Sequence, residues 1–230
     1  MENKNIPFVV IKHSSGSVSW HGSNGTKLRI FLIGGGGSSY GEGGGGSGYI
    51  KNCTYIMLSE KILFEYVVGN GGHLKRNGAQ SSITFPDGQS CKAGGGYSGG
   101  IVGDEGGNGW SGGGGDDGGK GGSNGSNGRG GHNDDLGGYG THEELPKLKF
   151  VNLSPGAGGR GSISFSTSYD GGGGGGVLVN GTGPSIRKDT YDHESGEGYG
   201  AGGSHGYDGG DSTRGTYGLI IVETLQPGIV

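Results

Sequence analysis

Cysteine, proline and hydrophobic residues are all scarce in this chain of 230 residues, with two Cys, six Pro and a hydrophobic share of 28%. Each shortage excludes something. Two cysteines, Cys53 and Cys91, make at most one disulfide and offer no zinc-like pairing of ligands. A bridge between them and two buried free thiols both remain open. Six prolines exclude a collagen triple helix, which needs Pro at about 15–20% beside its glycine. The hydrophobic share allows only a small core, and nowhere does the chain approach the roughly 18 consecutive apolar residues of a membrane-crossing helix. The N-terminal MENKNIPFVV lacks a basic region followed by an apolar run, so no signal peptide is expected. Charge is scarce as well. A net charge of -4 provides no basic face for nucleic acid or for an anionic membrane.

Recognisable chemistry is also missing. Seven histidines occur singly, with no His-x-x-x-His spacing to converge on a metal. Amphipathic 3.6-residue periodicity is absent, so the many Gly-x-Gly-x-x-Gly matches have no helix to open and carry no dinucleotide signal. Acidic pairs at Asp116-Asp117 and Asp134-Asp135, and Asp208 with Asp211, read as turn and cap residues rather than calcium ligands. The sequence predicts no enzyme, no cofactor and no metal.

Glycine is what the chain has, at 65 of its residues. A stretch such as GGKGGSNGSNGRGG (118–131) looks like flexible linker. Disorder, however, goes with high net charge and few aromatics, and this chain carries 11 Tyr, 6 Phe and 2 Trp. Between the glycine blocks lie strand-sized runs rich in β-branched and aromatic residues: PFVVIKH (7–13), SVSW (17–20), KLRIFLIG (27–34), GYIKNCTYIM (48–57), KILFEYVVG (61–69), SSITF (81–85), LKFVNL (148–153), GSISFS (161–166), VLV (177–179) and YGLIIVETL (217–225). FPDGQS (85–90) carries the Asp-Gly of a tight hairpin turn. An all-β fold follows, an antiparallel sheet or sandwich with almost no α-helix.

The glycines keep a frame. Gly100, Gly103, Gly106, Gly109, Gly112, Gly115, Gly118 and Gly121 fall at every third position, and Gly200, Gly203, Gly206 and Gly209 form a second run. Three residues per turn is the polyproline II period. Such a helix makes no internal hydrogen bonds, so a buried one must give its N–H and C=O groups to neighbours, and side chains on the contact faces would hold the backbones apart. As one helix, Gly100–Gly121 would extend about 68 Å, too long for a domain with a radius of gyration of about 17 Å. The segment is therefore expected to fold back near Trp110 and near Asp116-Asp117. The whole of 1–230 reads as one domain, a β-strand frame around a bundle of polyglycine II helices, with glycine blocks at 34–48, 94–140, 156–161, 171–176 and 196–215.

KLRIFLIGGGGSSYGEGGGGSGYI, FEYVVGNGG, NGAQSSITF followed by KAGGGYSGG, and the closing GTYGLIIVETL together resemble the glycine-rich domain at the tips of bacteriophage tail fibres. More distantly they are similar to the ectodomain of the anaplastic lymphoma kinase receptors. The likeness spans about 200 residues, from Lys27 to Leu225. It implies a β-sheet paired with polyglycine helices, serving binding or assembly rather than catalysis.

Recognition would then come from residues between the triplets. Tyr40, Trp110, Tyr139, Tyr191, Tyr199 and Tyr207 lie in or beside glycine-rich turns, where Tyr offers contact area at low entropic cost. The same rings could instead plug the bundle ends. The leading expectation is an adhesin or recognition module on a virion or outside the cell, binding a surface receptor or glycan of a host cell. The alternative is a structural protein that joins copies of itself, as a homo-oligomer or filament, through open sheet edges at VVIKH or GLIIVETL. Five Asn-x-Ser/Thr sites (Asn24, Asn52, Asn124, Asn152 and Asn180) would suit a secreted chain.

Overall fold

The computed structural model describes residues 8–40, 43–100, 106–115, 120–129, 137–159, 171–184, 196–204 and 214–225. Among them are ten strands and no helix: β1 Phe8–Ile11, β2 Ser15–His21, β3 Lys27–Ile33, β4 Ile50–Ile56, β5 Lys61–Val67, β6 Ser81–Thr84, β7 Ser90–Ala93, β8 Leu153–Pro155, β9 Val177–Val179 and β10 Leu219–Leu225. The fold is all-β and every strand pairing is antiparallel.

Two four-stranded sheets, ordered β1-β10-β3-β4 and β2-β5-β6-β7, pack face to face, and β8 with β9 makes a separate ribbon. Alternation on β3 explains the layering. Leu28, Ile30 and Leu32 point into the core shared with the second sheet, beside Phe64, Ile83 and Phe85. Phe31 and Ile33 point the other way, into a second core with Val177 and Val179 of the ribbon, Val151, Trp110 and Tyr199. The first sheet is thus buried on both faces, and its centre reads as continuous apolar sequence in KLRIFLI and LIIV for that reason. Cys53 on β4 and Cys91 on β7 are joined by a disulfide between edge strands of the two sheets, with Cα atoms 6.3 Å apart.

Glycine legs run from the strand ends: 34–40 out of β3, 43–49 back into β4, 94–99 out of β7, 171–176 into β9 and 214–218 into β10. Gly44, Gly45 and Gly46 donate their N–H groups to Gly114 O, Gly203 O and Tyr97 O, and Ser47, Gly48 and Tyr49 donate to Ser111 O, Gly200 O and Gly94 O, all at 2.8–2.9 Å. The same three neighbours recur after three residues, each with its number lowered by three, so all three run antiparallel to this leg. Carbonyls of Gly44, Gly45 and Gly46 accept in turn from Gly107, Gly174 and Gly37. Backbones come this close only without Cβ atoms. One added to Gly44, Gly45 or Gly46 would fall into the backbone of Gly172, Gly37 or Asn108.

The reversal near Trp110 is present, because residues 110 and 111 form a bend and Gly113 N–H returns to Gly107 O at 2.9 Å. Of the frame glycines, Gly109, Gly112, Gly115, Gly121, Gly200 and Gly203 donate bonds to separate segments, and a Cβ on Gly106 would strike Gly113 O. Gly103, Gly118, Gly206 and Gly209, the strand expected at 161–166, the reversal at Asp116-Asp117 and the acidic groups at 134, 135, 208 and 211 lie outside the described residues.

Two expectations need correction, and one strand is added to those expected. Residues 149–151 bend instead of continuing a strand, and β8 begins only at Leu153. Side chains tie that segment down: Arg29 Nη1 donates to Lys147 O at 2.7 Å, and Lys149 N–H donates at 2.8 Å to the buried carboxylate of Glu223, which also pairs with Arg29 at 3.4 Å. A strand not singled out from composition, β7, completes the hairpin that the Asp87-Gly88 turn begins. Finally, GLIIVETL is no open edge, since β10 is bonded on both sides, with Val222 opposite Val9 of β1 and Ile30 of β3. The edges of that sheet are β1 and β4.

Candidate binding surface

Residues 120–129, part of the stretch that resembles linker, form a hairpin. Asn124 (φ 54°) and Gly125 (φ 74°) are both left-handed, as a two-residue type I′ turn requires, and Ser126 N–H closes it on Ser123 O at 2.9 Å. Arg129 N–H donates to Lys120 O at 2.8 Å across the arms. The bundle holds the hairpin from behind: Gly122 donates to Gly112 O, Gly112 to Ser126 O, and Gly115 to Arg129 O. An open cleft of about 270 Å³ lies against this hairpin, lined by residues 120–123 with Ser126, Asn127 and Arg129.

Segment 137–143 runs beside the same hairpin. Gly128 N–H donates to Gly138 O, Asn127 Oδ1 accepts from Gly140 N–H at 2.7 Å, and His142 N–H donates to Gly125 O at 2.7 Å. Asn108 Oδ1 accepts the Tyr139 N–H at 2.6 Å. Backbone and amide bonds thus fix Tyr139 while its side chain stays 68% exposed, its ring edge-on to His142 with centroids 6.5 Å apart.

Four of the six aromatic residues picked out by sequence are described, and they divide into three groups. Tyr139 is on the surface beside the cleft. Tyr40 is half-buried, with Lys75 Nζ 3.7 Å from its ring centroid and bonded to its hydroxyl. Trp110 and Tyr199 are corrections, since they are 1% and 4% exposed. The Trp110 indole fills the second core and its Nε1–H donates to Glu143 O at 2.7 Å; the Tyr199 ring packs edge-on to Tyr217 at 5.7 Å. Both are plugs. Tyr191 and Tyr207 lie outside the described residues. Half-exposed Tyr97 packs edge-on to Tyr49, whose phenol is pushed above its ordinary pKa by burial first and by the neighbouring Tyr97 second.

Sequence reasoning passed over Lys120, Asn127 and Arg129. The signal was available in two cations placed symmetrically about an Asn-Gly turn, a hairpin signature that low glycine-rich complexity hid. No group of three potential metal ligands occurs among the described residues. No protein-family model matches the chain. No curated protein matches it either.

Proposed function

We propose that this chain is a non-enzymatic binding module, acting on a virion or outside the cell, in which a rigid bundle of polyglycine II helices presents loops to a surface receptor or glycan. One observation carries the reading. The leg at 44–49 gives its backbone bonds to three neighbouring segments in a repeat of three, as the polyglycine II lattice would, and the side chains left at the surface of the bundle include Tyr139, Lys120 and Arg129. A scaffold held by its own backbone cannot deform to meet a ligand, so loops fixed on it lose little entropy on binding. The Cys53–Cys91 bridge and the exposure of all five sequon asparagines support the extracellular setting.

The test pairs an exposed with a buried aromatic in an adhesion assay on candidate host cells and in denaturant unfolding. Tyr139→Ala is expected to weaken adhesion while changing stability by less than about 0.5 kcal/mol. Trp110→Ala is expected to cost about 3–5 kcal/mol through the cavity it leaves. If Tyr139→Ala collapses stability too, this surface is structural and the adhesin reading loses its site. Assembly of copies retains the support of one of the two segments expected to join them, VVIKH, since it holds the edge strand β1. Fibres in electron micrographs of pure protein would favour that reading.

A further inference from the structure

We infer that the open cleft against the 120–129 hairpin binds the acidic group of a glycan, a carboxylate or sulfate carried on a sugar ring. This rests on the binding-module reading and names the ligand of one site within it. Lys120 and Arg129 both line the cleft and are paired across the arms by the 2.8 Å backbone bond from Arg129 N–H to Lys120 O. Like charges facing each other on paired segments repel, and neither has a carboxylate partner among the described residues. An anion seated between them removes that repulsion.

The rest of the lining selects the kind of anion. The hairpin's N–H groups at Gly121, Gly122, Gly128 and Arg129 are already bonded to Gly159, Gly112, Gly138 and Lys120. They form no backbone nest of the sort that cradles phosphate, so the side chains hold the charge. A guanidinium meets a planar oxyanion through two parallel bonds, and the ammonium adds a point charge. Asn127 is oriented through its Oδ1, which leaves its two N–H donors for ring hydroxyls. The lining has no apolar side chain. Its volume of about 270 Å³ lies just under the range of about 300–1,000 Å³ that accepts drug-sized molecules. That is room for one small polar unit. Two cations in a chain of net charge -4 do not make the extended basic track a nucleic acid needs.

Titration calorimetry on the full chain with 3′-sialyllactose, a sulfated heparin disaccharide, neutral lactose and inorganic sulfate tests this. At least one acidic sugar is expected to bind, with lactose and inorganic sulfate about tenfold weaker or worse, and with affinity falling as NaCl rises. The first sugar alone would assign a carboxylate, the second alone a sulfate. Lys120→Gln with Arg129→Gln should weaken that binding by about tenfold or more while leaving the unfolding midpoint in place, because both side chains are exposed. Equal binding of lactose, equally tight binding of the inorganic ion, no binding of either acidic sugar at millimolar concentration, or an unaffected double variant overturns the inference. Cell adhesion separates the two levels. A wild-type protein that adheres as well as its double variant sinks this site alone, whereas one that adheres to no surface sinks the binding-module reading.

Discussion

A glycine in this protein is chosen by what lies opposite it. A Cβ on Gly109 would enter the backbone of Ser47, and one on Gly112 the backbone of Gly138, both far inside van der Waals contact. Neither neighbour is a flexible side-chain end that could swing aside. Gly109→Val or Gly112→Val is therefore expected to cost several kcal/mol, at least about 3, while Lys120→Ala, at an exposed position of the same block, stays within about 0.5. Chemical denaturation of the three variants checks this, and equal midpoints would sink the account of the bundle. Where a residue must be small because a backbone touches it, the triplet frame made that legible in sequence. Trp110 shows the limit. It sits between glycine pairs as an exposed loop-tip residue would, yet the groups that bury it, Glu143 and the Phe31 face of β3, are remote in sequence, and local composition holds no trace of them.

Elements were legible where the chain pairs with itself nearby. In the β6–β7 hairpin, Gly88 adopts φ 83° after Pro86-Asp87, and Gly88 N–H bonds Phe85 O at 2.9 Å, the local chemistry that FPDGQS announces. Residues 148–152 were misread because LKFVN has strand composition but no strand to pair with; Glu223 and Arg29 hold it instead. The 120–129 hairpin failed in the opposite way, with a correct turn signal submerged in glycine. Between elements, the Cys53–Cys91 bridge closes a loop with a sequence separation of 38, and it ties together sheets that also share a packed core and the 2.7 Å bond from Ser81 Oγ to Ile33 O. Chain-entropy reasoning puts its contribution at about 4 kcal/mol. Adding a reductant, or replacing both residues by Ser, should lower the thermal midpoint, while the far-ultraviolet spectrum below that midpoint keeps its form. An unchanged midpoint would show that the sandwich core alone sets the stability of the two sheets.

At the scale of the molecule, the sandwich and the glycine bundle share their covalent chain and their bonds. Leg 34–37 continues β3 without a break, and its N–H groups go to Tyr49, Ala79, Thr216 and Gly46, four places in three other segments that lead into or follow strands. Gly218, immediately before β10, donates to Gly69, two residues after β5 ends at Val67. Melting the bundle alone would leave dozens of backbone groups to be rehydrated while the strands stayed fixed at one end. Melting the sandwich alone would leave the legs without the apolar burial that offsets their conformational entropy, which is largest for glycine. The two parts are thus expected to open together. Native-state hydrogen exchange reads this directly. Amides of Gly44 to Tyr49 should exchange with the same free energy, and the same denaturant dependence, as those of Phe31 in β3 and Ile221 in β10, because only global unfolding exposes them. Amides of the 120–129 hairpin, which lies at the outside of the bundle, should exchange faster. If the leg at 44–49 exchanges through a smaller opening than β3 does, the bundle is a separate, weaker unit resting on the sandwich. A loop mounted on it would then lack the rigid support that the proposed binding requires.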